Sequence, residues 1–125
     1  MGNTRIQAVD TVRAAAILTT GVVATTGLDI SAATGCLFLL DFTIGSLTRI
    51  DVLTEYSLDG TTWIPKRDTS GVGGITAAVA LSATGKYYIS DTNVGWRNIR
   101  LTVQGVGTVT SSSLTVTATR IPNRG

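Results

Sequence analysis

The sequence predicts an all-β fold, an antiparallel β-sandwich or jelly-roll-like domain of about eight strands. Apolar residues recur at every second position along most of the 125-residue chain, which is the spacing of side chains on one face of a strand. No segment carries a helical apolar stripe that alternation does not also fit. Turns rich in Gly, Asn, Asp and Ser recur about every ten residues, which favours antiparallel strands over a parallel sheet with crossover helices.

Eight segments show the strand pattern, each bounded by turn residues. Pro65 ends one of them, and because proline cannot donate to a ladder, that strand is expected at a sheet edge. The predicted strands cover residues 12–18, 36–44, 49–57, 61–65, 75–81, 86–90, 96–104 and 113–121.

The segment 36–44 is apolar on both faces at its start, with Phe38 and Leu40 alternating against Leu37 and Leu39. Such a pattern is typical of a central strand that is covered on both sides. Asp41 then marks the point where one face meets solvent or a partner. Only a short link that contains Gly-Ser-Leu separates this segment from the next, so we predict that residues 36–44 and 49–57 form one hairpin.

Composition predicts one domain over residues 1–125, with short polar arms at both ends. Charged residues make up only 14%, whereas the chain has 22 Thr and 9 Ser, so hydroxyl groups must solvate much of the surface. Such a surface suits a protein that packs against neighbours, although Thr is also a good strand residue. Within the arms, the candidate interface residues are Met1, Arg5, Ile121 and Arg124.

The residues that are missing exclude several kinds of chemistry. The chain has no His, so His-based triads and His-metal sites are excluded. Its one cysteine, Cys36, has no partner within the chain and is expected to be a buried thiol. The net charge is +2 and the basic residues are scattered, so no nucleic-acid footprint is present. No apolar run approaches the roughly 20 residues that span a bilayer.

The most specific local string is Ser-Leu-Asp-Gly-Thr-Thr-Trp, residues 57–63. Ser57 and Asp59 are expected to accept backbone N–H bonds in a turn, and Gly60 to adopt positive φ. Trp63 is expected to fold back over the turn as a core residue. This string therefore predicts a structural hairpin.

Catalysis and sugar binding are the two alternatives to a structural role. Asp51 and Glu55 share a strand face but lie about 13 Å apart, which is too far for either glycosidase geometry. We therefore expect no enzyme activity, no metal and no cofactor. Sugar binding needs exposed aromatic rings. The candidate stacking residues are Trp63, Trp96, Tyr87 and Tyr88.

Two longer strings, residues 39–63 and 99–121, resemble a group of small all-β structural proteins encoded by tailed bacteriophages. The shared features are a hydrophobic strand that ends in Asp-Phe-Thr before a glycine, a Ser-x-Asp-Gly-Thr-x-Trp hairpin, and a late Arg-containing strand followed by a Gly-Thr turn. In this sequence they correspond to Asp41–Gly45, Ser57–Trp63, Arg100 and Gly107–Thr108. The two strings make up about two-fifths of the chain, and the resemblance implies a role in the virion.

Residues and resemblance together predict a non-enzymatic virion protein, foremost a capsid decoration (cement) protein on the capsid surface that is made in the host cytoplasm. Expected partners are the major capsid protein or other virion proteins, and copies of the chain itself in a dimer or trimer. Neither nucleic acid nor a membrane is expected as a partner. The alternatives are a phage neck, tail or fibre-associated protein, and a carbohydrate-binding or host-adhesion module.

Overall fold

The computed structural model describes residues 9–18, 20–66, 78–108 and 111–122. These residues form ten strands and no helix, so the predicted all-β class is confirmed. The excess of two over the predicted number comes from two unpredicted strands of two residues each, Val23–Ala24 and Leu28–Asp29. The strands are β1 (Val9–Ile17), β2 (Val23–Ala24), β3 (Leu28–Asp29), β4 (Ala33–Thr43), β5 (Leu47–Ser57), β6 (Ile64–Pro65), β7 (Ala78–Leu81), β8 (Gly85–Thr92), β9 (Asn98–Gly107) and β10 (Ser113–Pro122).

The strands form two antiparallel sheets that pack face to face. Sheet A has four strands in the order β1-β10-β4-β8. Sheet B has β9 and β5 at its centre, with β2 and β3 beside β9, and β6 and β7 beside β5. The described pairs are all antiparallel, and the architecture is a β-sandwich.

The predicted hairpin between residues 36–44 and 49–57 is wrong. These residues lie in β4 of sheet A and β5 of sheet B, so the short link crosses the sandwich instead of reversing within one sheet. Gly45 makes the crossing with φ +56, and the Leu47 N–H donates to the Ile44 carbonyl at 3.0 Å. Alternation could not reveal this, because strands that face each other across a core show the same period as strands that pair.

One core fills the space between the sheets. Its largest fully buried side chains, Phe38 and Phe42, project from β4, which lies inside sheet A between β10 and β8 as predicted. The prediction that this strand is covered on both sides is wrong, because Leu39 on its other face is 52% exposed. Tyr56, Tyr87 and Trp96 are partly buried and pack against its margin. The buried hydrophobic residues are Val12, Leu18, Leu28, Ile30, Cys36, Phe38, Leu40, Phe42, Leu47, Ile50, Val52, Leu81, Ile99, Leu101, Val103, Leu114, Val116 and Ala118.

Strand β1 departs from the alternation that its sequence predicts. Val12 and Leu18 are buried, but Ala14, predicted to share their face, is exposed. Two shifts in the register with β10, one on each side of Arg13, account for the difference. A bulge changes the face on which later residues lie, so a regular sequence pattern cannot be followed through it.

Candidate interaction surface

The outward side of sheet A carries rows of side chains that run across the strands. One row, read from the register, is Thr11, Thr117, Leu39 and Tyr88, which lie on β1, β10, β4 and β8. The row on one side of it is Val9, Thr119, Leu37 and Ser90, and the row on the other side contains Thr115, Asp41 and Lys86. We call the surface formed by these residues and Ile121 the A face.

Several large apolar side chains of the A face are exposed to solvent. Tyr88 is 71% exposed, Val9 65%, Leu39 52% and Ile121 45%. A shallow depression of about 240 Å³ lies beside Leu39 and is bordered by the hydroxyl-bearing strand β10. Apolar side chains gain free energy when a neighbour covers them, and threonine hydroxyls can be buried beside them where the neighbour supplies hydrogen-bond partners.

The outward side of sheet B is built differently. We call it the B face, and it comprises Arg49, Asp51, Leu53, Glu55, Arg100, Thr102 and Gln104, with Trp63 above them. The Arg100 Nε lies 2.7 Å from the Glu55 Oε1, and the Arg49 Nε lies 3.0 Å from the Asp51 Oδ1. These four charged groups are therefore paired within the chain.

Trp63 belongs to the B face and not to the core, so its predicted core position is wrong. It is half-buried, and the Arg100 guanidinium carbon lies 4.3 Å from its ring centroid. A Cβ on Gly27 would come within 3.1 Å of the Trp63 ring, so the indole packs closely over that glycine. The prediction failed because the turn directs the chain onto the outer side of sheet B, where a cation–π contact holds the indole.

The turn before Trp63 has the predicted chemistry. The Ser57 Oγ accepts from the Asp59 and Gly60 N–H groups at 3.2 and 2.8 Å. The Asp59 Oδ1 accepts from the Thr61 and Thr62 N–H groups at 2.9 and 2.8 Å, and Gly60 has φ +79. These donors favour the ionised carboxylate and hold the pKa of Asp59 well below its ordinary value of 3.8. These four hydrogen bonds hold residues 57–62 in a defined turn.

A polar row closes one end of the sandwich, and sequence reasoning missed it. The Tyr56 hydroxyl of sheet B donates to the Asp91 Oδ2 of sheet A at 2.5 Å, and the Lys66 Nζ lies 3.5 Å from the same oxygen. Burial raises the pKa of Tyr56, and the bond to Asp91 adds to the shift. Trp96 stacks on Tyr56 with ring centroids 5.2 Å apart. The only available signal was that Asp91 occurs at an inward position of β8.

Arg120 of sheet A also contacts sheet B, as Asp91 does through Tyr56. Its Nη1 lies 2.9 Å from the Asp10 Oδ2, and its Nε donates to the Asp29 carbonyl of sheet B at 2.6 Å. Cys36 pairs with both Arg120 and Asp91 in the register and is fully buried. Burial, followed by the Asp91 charge, raises the pKa of the Cys36 thiol to about 12. The thiol is protonated at neutral pH and therefore unreactive.

The four aromatic residues predicted as sugar-stacking candidates do not form one platform. Tyr88 lies on the A face and Trp63 on the B face, and the stacking of Trp96 on Tyr56 fills the rim of the core. Tyr87 is half-buried and its hydroxyl donates to the Ala83 carbonyl at 2.6 Å. Each ring therefore has a different setting, and Tyr88 is the most exposed of them.

The predicted interface arms are described only in part. Met1, Arg5 and Arg124 lie outside the described residues. Ile121 is a strand residue of β10, where it pairs with Gly35 of β4, so at this position the predicted arm is the end of a sheet strand. A Cβ on Gly35 would come within 2.5 Å of the Asp91 carbonyl, which explains why a glycine stands beneath Ile121.

Two features that the described residues lack bear on chemistry. No group of three or more Cys, Asp or Glu residues in the described parts of the chain is arranged to hold a metal ion. The same residues include no helix long and apolar enough to cross a bilayer. The described residues form a two-sheet antiparallel sandwich. Charged side chains are paired within the chain on its B face, and large apolar side chains are exposed on its A face.

Solved structures of other proteins share this fold. No family model matches the sequence, and no curated protein matches it. Among solved structures, the chain is similar to the PBSX exported protein XepA, with a TM-score of 0.65 and 14% identity over 94% of this chain. The chain spans only 38% of that protein. It is also similar to a subunit of Bacillus endospore appendages, described as disulfide-linked pili, with a TM-score of 0.51, 11% identity, and 98% and 96% of the two chains covered.

Proposed function

We propose that this protein is a non-enzymatic structural subunit of a bacteriophage particle, and that it acts as a capsid decoration protein by packing its A face against neighbouring subunits. The observation that carries the proposal is the open A face, on which Leu39 is 52% and Tyr88 71% exposed. Burying such side chains stabilises an interface by about 25 cal/mol per Å² of apolar surface. Function then depends on area and shape and needs no catalytic group.

The fold neighbours support a structural role of this kind. One is named as an exported protein of PBSX and the other as a subunit of pili, and both share the sandwich at low sequence identity. The phage-like strings at residues 39–63 and 99–121 point in the same direction. Because a shared fold alone does not carry function, the A face is the more direct support.

The pilus-like alternative differs from this proposal in how subunits would be joined. The neighbouring appendages are described as disulfide-linked. The only cysteine in this sequence, Cys36, is 0% exposed and its thiol has a pKa of about 12. A thiol with these properties is a poor partner for a disulfide between subunits. Packing through the A face is therefore the mode of assembly that the described residues favour.

The proposal is tested by the copy number of this protein in purified particles. Particles should be prepared from the phage whose genome encodes this sequence, and the protein should be quantified against the major capsid protein by mass spectrometry with labelled peptide standards. A decoration protein is expected in a copy number comparable to that of the capsid subunits. Treating the particles with mild denaturant should release it before the capsid disassembles, because decoration proteins lie on the outside.

Two outcomes would contradict the capsid assignment. A copy number of only a few per particle would indicate a neck, tail or fibre position instead. Absence of the protein from purified particles, with recovery in the culture medium, would place it with exported proteins and would overturn the virion role. The carbohydrate-binding alternative makes a separate prediction, namely tight binding to cell-wall polysaccharide that is lost in Tyr88→Ala.

A further inference from the structure

The described strands give the two sheets four edges, and three of them are interrupted. Edge β1 has two register shifts, and Arg13 within it donates to the Leu114 carbonyl at 3.2 Å. One edge of sheet B consists of the two-residue strands β2 and β3, separated by residues 25–27. The other, as far as the described residues show it, consists of β6, which ends in Pro65, and β7 from Ala78 to Leu81. Bulges, short strands and proline all hinder pairing with another chain.

The fourth edge, β8, has none of these features. It pairs with β4 from Gly85 to Thr92 without any register shift, and its eight residues contain no proline. Its side chains alternate regularly between partly buried and exposed positions. On its other side, β8 has no partner strand among the described residues. A long, regular and unpaired edge is a template for a further strand.

We infer that two copies of this chain pair through their β8 edges, antiparallel and around a twofold axis at Tyr88, to extend sheet A across the dimer. A comparison of the four edges identifies which strand of a second copy pairs with β8. A β8 edge cannot pair regularly with an interrupted β1 edge of another copy, so the regular pairing between copies is β8 with itself. Identical surfaces meeting in this way give a closed, isologous dimer.

The register of the dimer follows from the alternation of β8. Residues that lie opposite each other must project to the same side of the sheet. An axis at Tyr88 satisfies this condition and aligns seven residues of each strand, from Gly85 to Asp91. It places the two Tyr88 side chains next to each other on the outer side. On the inner side it places each Tyr87 opposite the partner's Ile89.

These pairs suit the side chains that they bring together. Tyr87 and Ile89 are only partly buried at the edge of the core, and each would gain an apolar neighbour. Lys86 would lie opposite the partner's Ser90, and the two Lys86 residues would be about 13 Å apart along the strands. An axis at Ile89 would instead place the charged Asp91 opposite the partner's Tyr87. The Tyr88 axis therefore avoids an unfavourable pair that its neighbour creates.

Opposite charges at Ser90 provide the main test, because Ser90 is exposed and lies opposite the partner's Lys86. Ser90→Asp creates two attractive cross-strand pairs per dimer, whereas Ser90→Lys creates two repulsive ones. Each variant should shift the dimer Kd roughly 2- to 30-fold, downward for Asp and upward for Lys. Sedimentation equilibrium across a wide range of protein concentration measures the shift. The matched controls are Thr11→Asp and Thr11→Lys, which place the same charges on the exposed opposite edge of sheet A and should leave Kd unchanged.

Cysteine crosslinking tests the position of the axis. With glutathione disulfide as the oxidant, two Tyr88→Cys chains should be oxidised to a covalent dimer, because residues at the axis lie within about 5.5 Å of each other. Ser90→Cys should crosslink poorly, since its two thiols would be about 13 Å apart along the strands. Cys36 is buried and does not compete. The wild-type chain is the blank.

Three results would overturn the inference: a wild-type chain that stays monomeric at every concentration, Ser90 variants that respond like the Thr11 controls, or Ser90→Cys crosslinking as well as Tyr88→Cys. The inference does not depend on the role in a phage particle. Dimerisation is measured on the isolated chain, whereas the proposed function is measured by copy number in particles. Failure of one experiment can therefore be distinguished from failure of the other.

Discussion

The two outer faces of the sandwich differ in whether their side chains have partners within the chain. On the B face, Arg100 contacts both Glu55 and the Trp63 ring, so charge and aromatic surface are already paired within the chain. On the A face, Leu39 and Tyr88 stand exposed among threonine hydroxyls. The B face has its charged and aromatic groups paired in the isolated chain, whereas the A face has exposed apolar side chains that a neighbour could cover.

This difference shows why the A face is the better candidate for assembly. Covering the B face would remove water from two ion pairs, and the cost of desolvating charged groups can exceed the Coulombic gain. The charged residues of the A-face rows, Asp41 and Lys86, lie together in one of its three rows, so covering the other two rows removes water from hydroxyls and apolar side chains, and the apolar part is favourable. We expect a neighbour to select the face on which burial is favourable.

The largest effect is expected from a charge placed on the A face. Leu39→Asp should lower incorporation into particles by roughly 30-fold or more, the effect of removing about 2 kcal/mol at a central interface residue. The stability of the isolated chain should change far less, because Leu39 is 52% exposed. Quantitative mass spectrometry of particles and thermal melting of the free chain measure the two quantities.

The matched control for this variant is Ile64→Asp on sheet B. Ile64 is a large aliphatic residue that is 45% exposed, close to the value for Leu39, but it lies on the short edge strand β6. Its incorporation should equal that of the wild type. Equal loss of incorporation in both variants would show that the loss is not specific to the A face.

A smaller effect is expected at Trp63. Trp63→Ala should destabilise the fold by about 1–2 kcal/mol, from the lost cation–π contact and a half-buried ring. Truncating a fully buried Phe or Trp costs about 3–5 kcal/mol. Urea unfolding followed by circular dichroism gives the difference. A loss in the core range would mean that the ring is more deeply packed than its position on the B face indicates.

The ion pair beneath Trp63 should contribute less again. Glu55→Gln removes the carboxylate that accepts from Arg100 at 2.7 Å, and we expect a loss below about 1 kcal/mol because both side chains are partly exposed. The loss should shrink as salt is added. Unfolding at low and high ionic strength tests this, and a loss that does not respond to salt would contradict an electrostatic origin.

The turn that leads to Trp63 predicts a pH dependence of stability. The pKa of Asp59 is lower in the folded chain than its ordinary value of 3.8, so the unfolded chain binds the proton more tightly. The stabilisation from Asp59 is therefore fully present above the unfolded-state pKa and declines as the pH falls toward the folded-state pKa. Asp59→Asn should flatten this decline. If the melting temperature of Asp59→Asn falls with decreasing pH as steeply as that of the wild type, Asp59 does not contribute to the pH dependence of stability.

Sequence patterns predicted the strands better than their arrangement. Alternation located β4, β5, β9 and β10, because one face of each is buried. It could not show that the link at Gly45 crosses between sheets, since strands across a core share the period of paired strands. It also could not predict the bulges around Arg13, which depend on the backbone of the neighbouring strand.

The candidate surface was predicted only in outline. Hydroxyl-rich composition indicated a surface suited to packing, but the sequence does not show that Thr117, Leu39 and Tyr88 fall in one row, because they come from three strands far apart in the chain. Trp63 was misplaced for a related reason. Its partner Arg100 is distant in sequence, and only the pairing of Glu55 with Arg100 in adjacent strands brings the indole and guanidinium together.

Burial of the A face on assembly can be measured by hydroxyl-radical footprinting of Tyr88 and Trp63 in the free chain and in purified particles. Both rings are reactive, and they lie on opposite faces of the sandwich. Tyr88 should be modified readily in the free chain, measured both as the monomer and as the dimer, and should be protected further in particles, while Trp63 should be modified equally in all samples. Equal modification of Tyr88 in the free chain and in particles, or protection of Trp63 alone, would contradict burial of the A face.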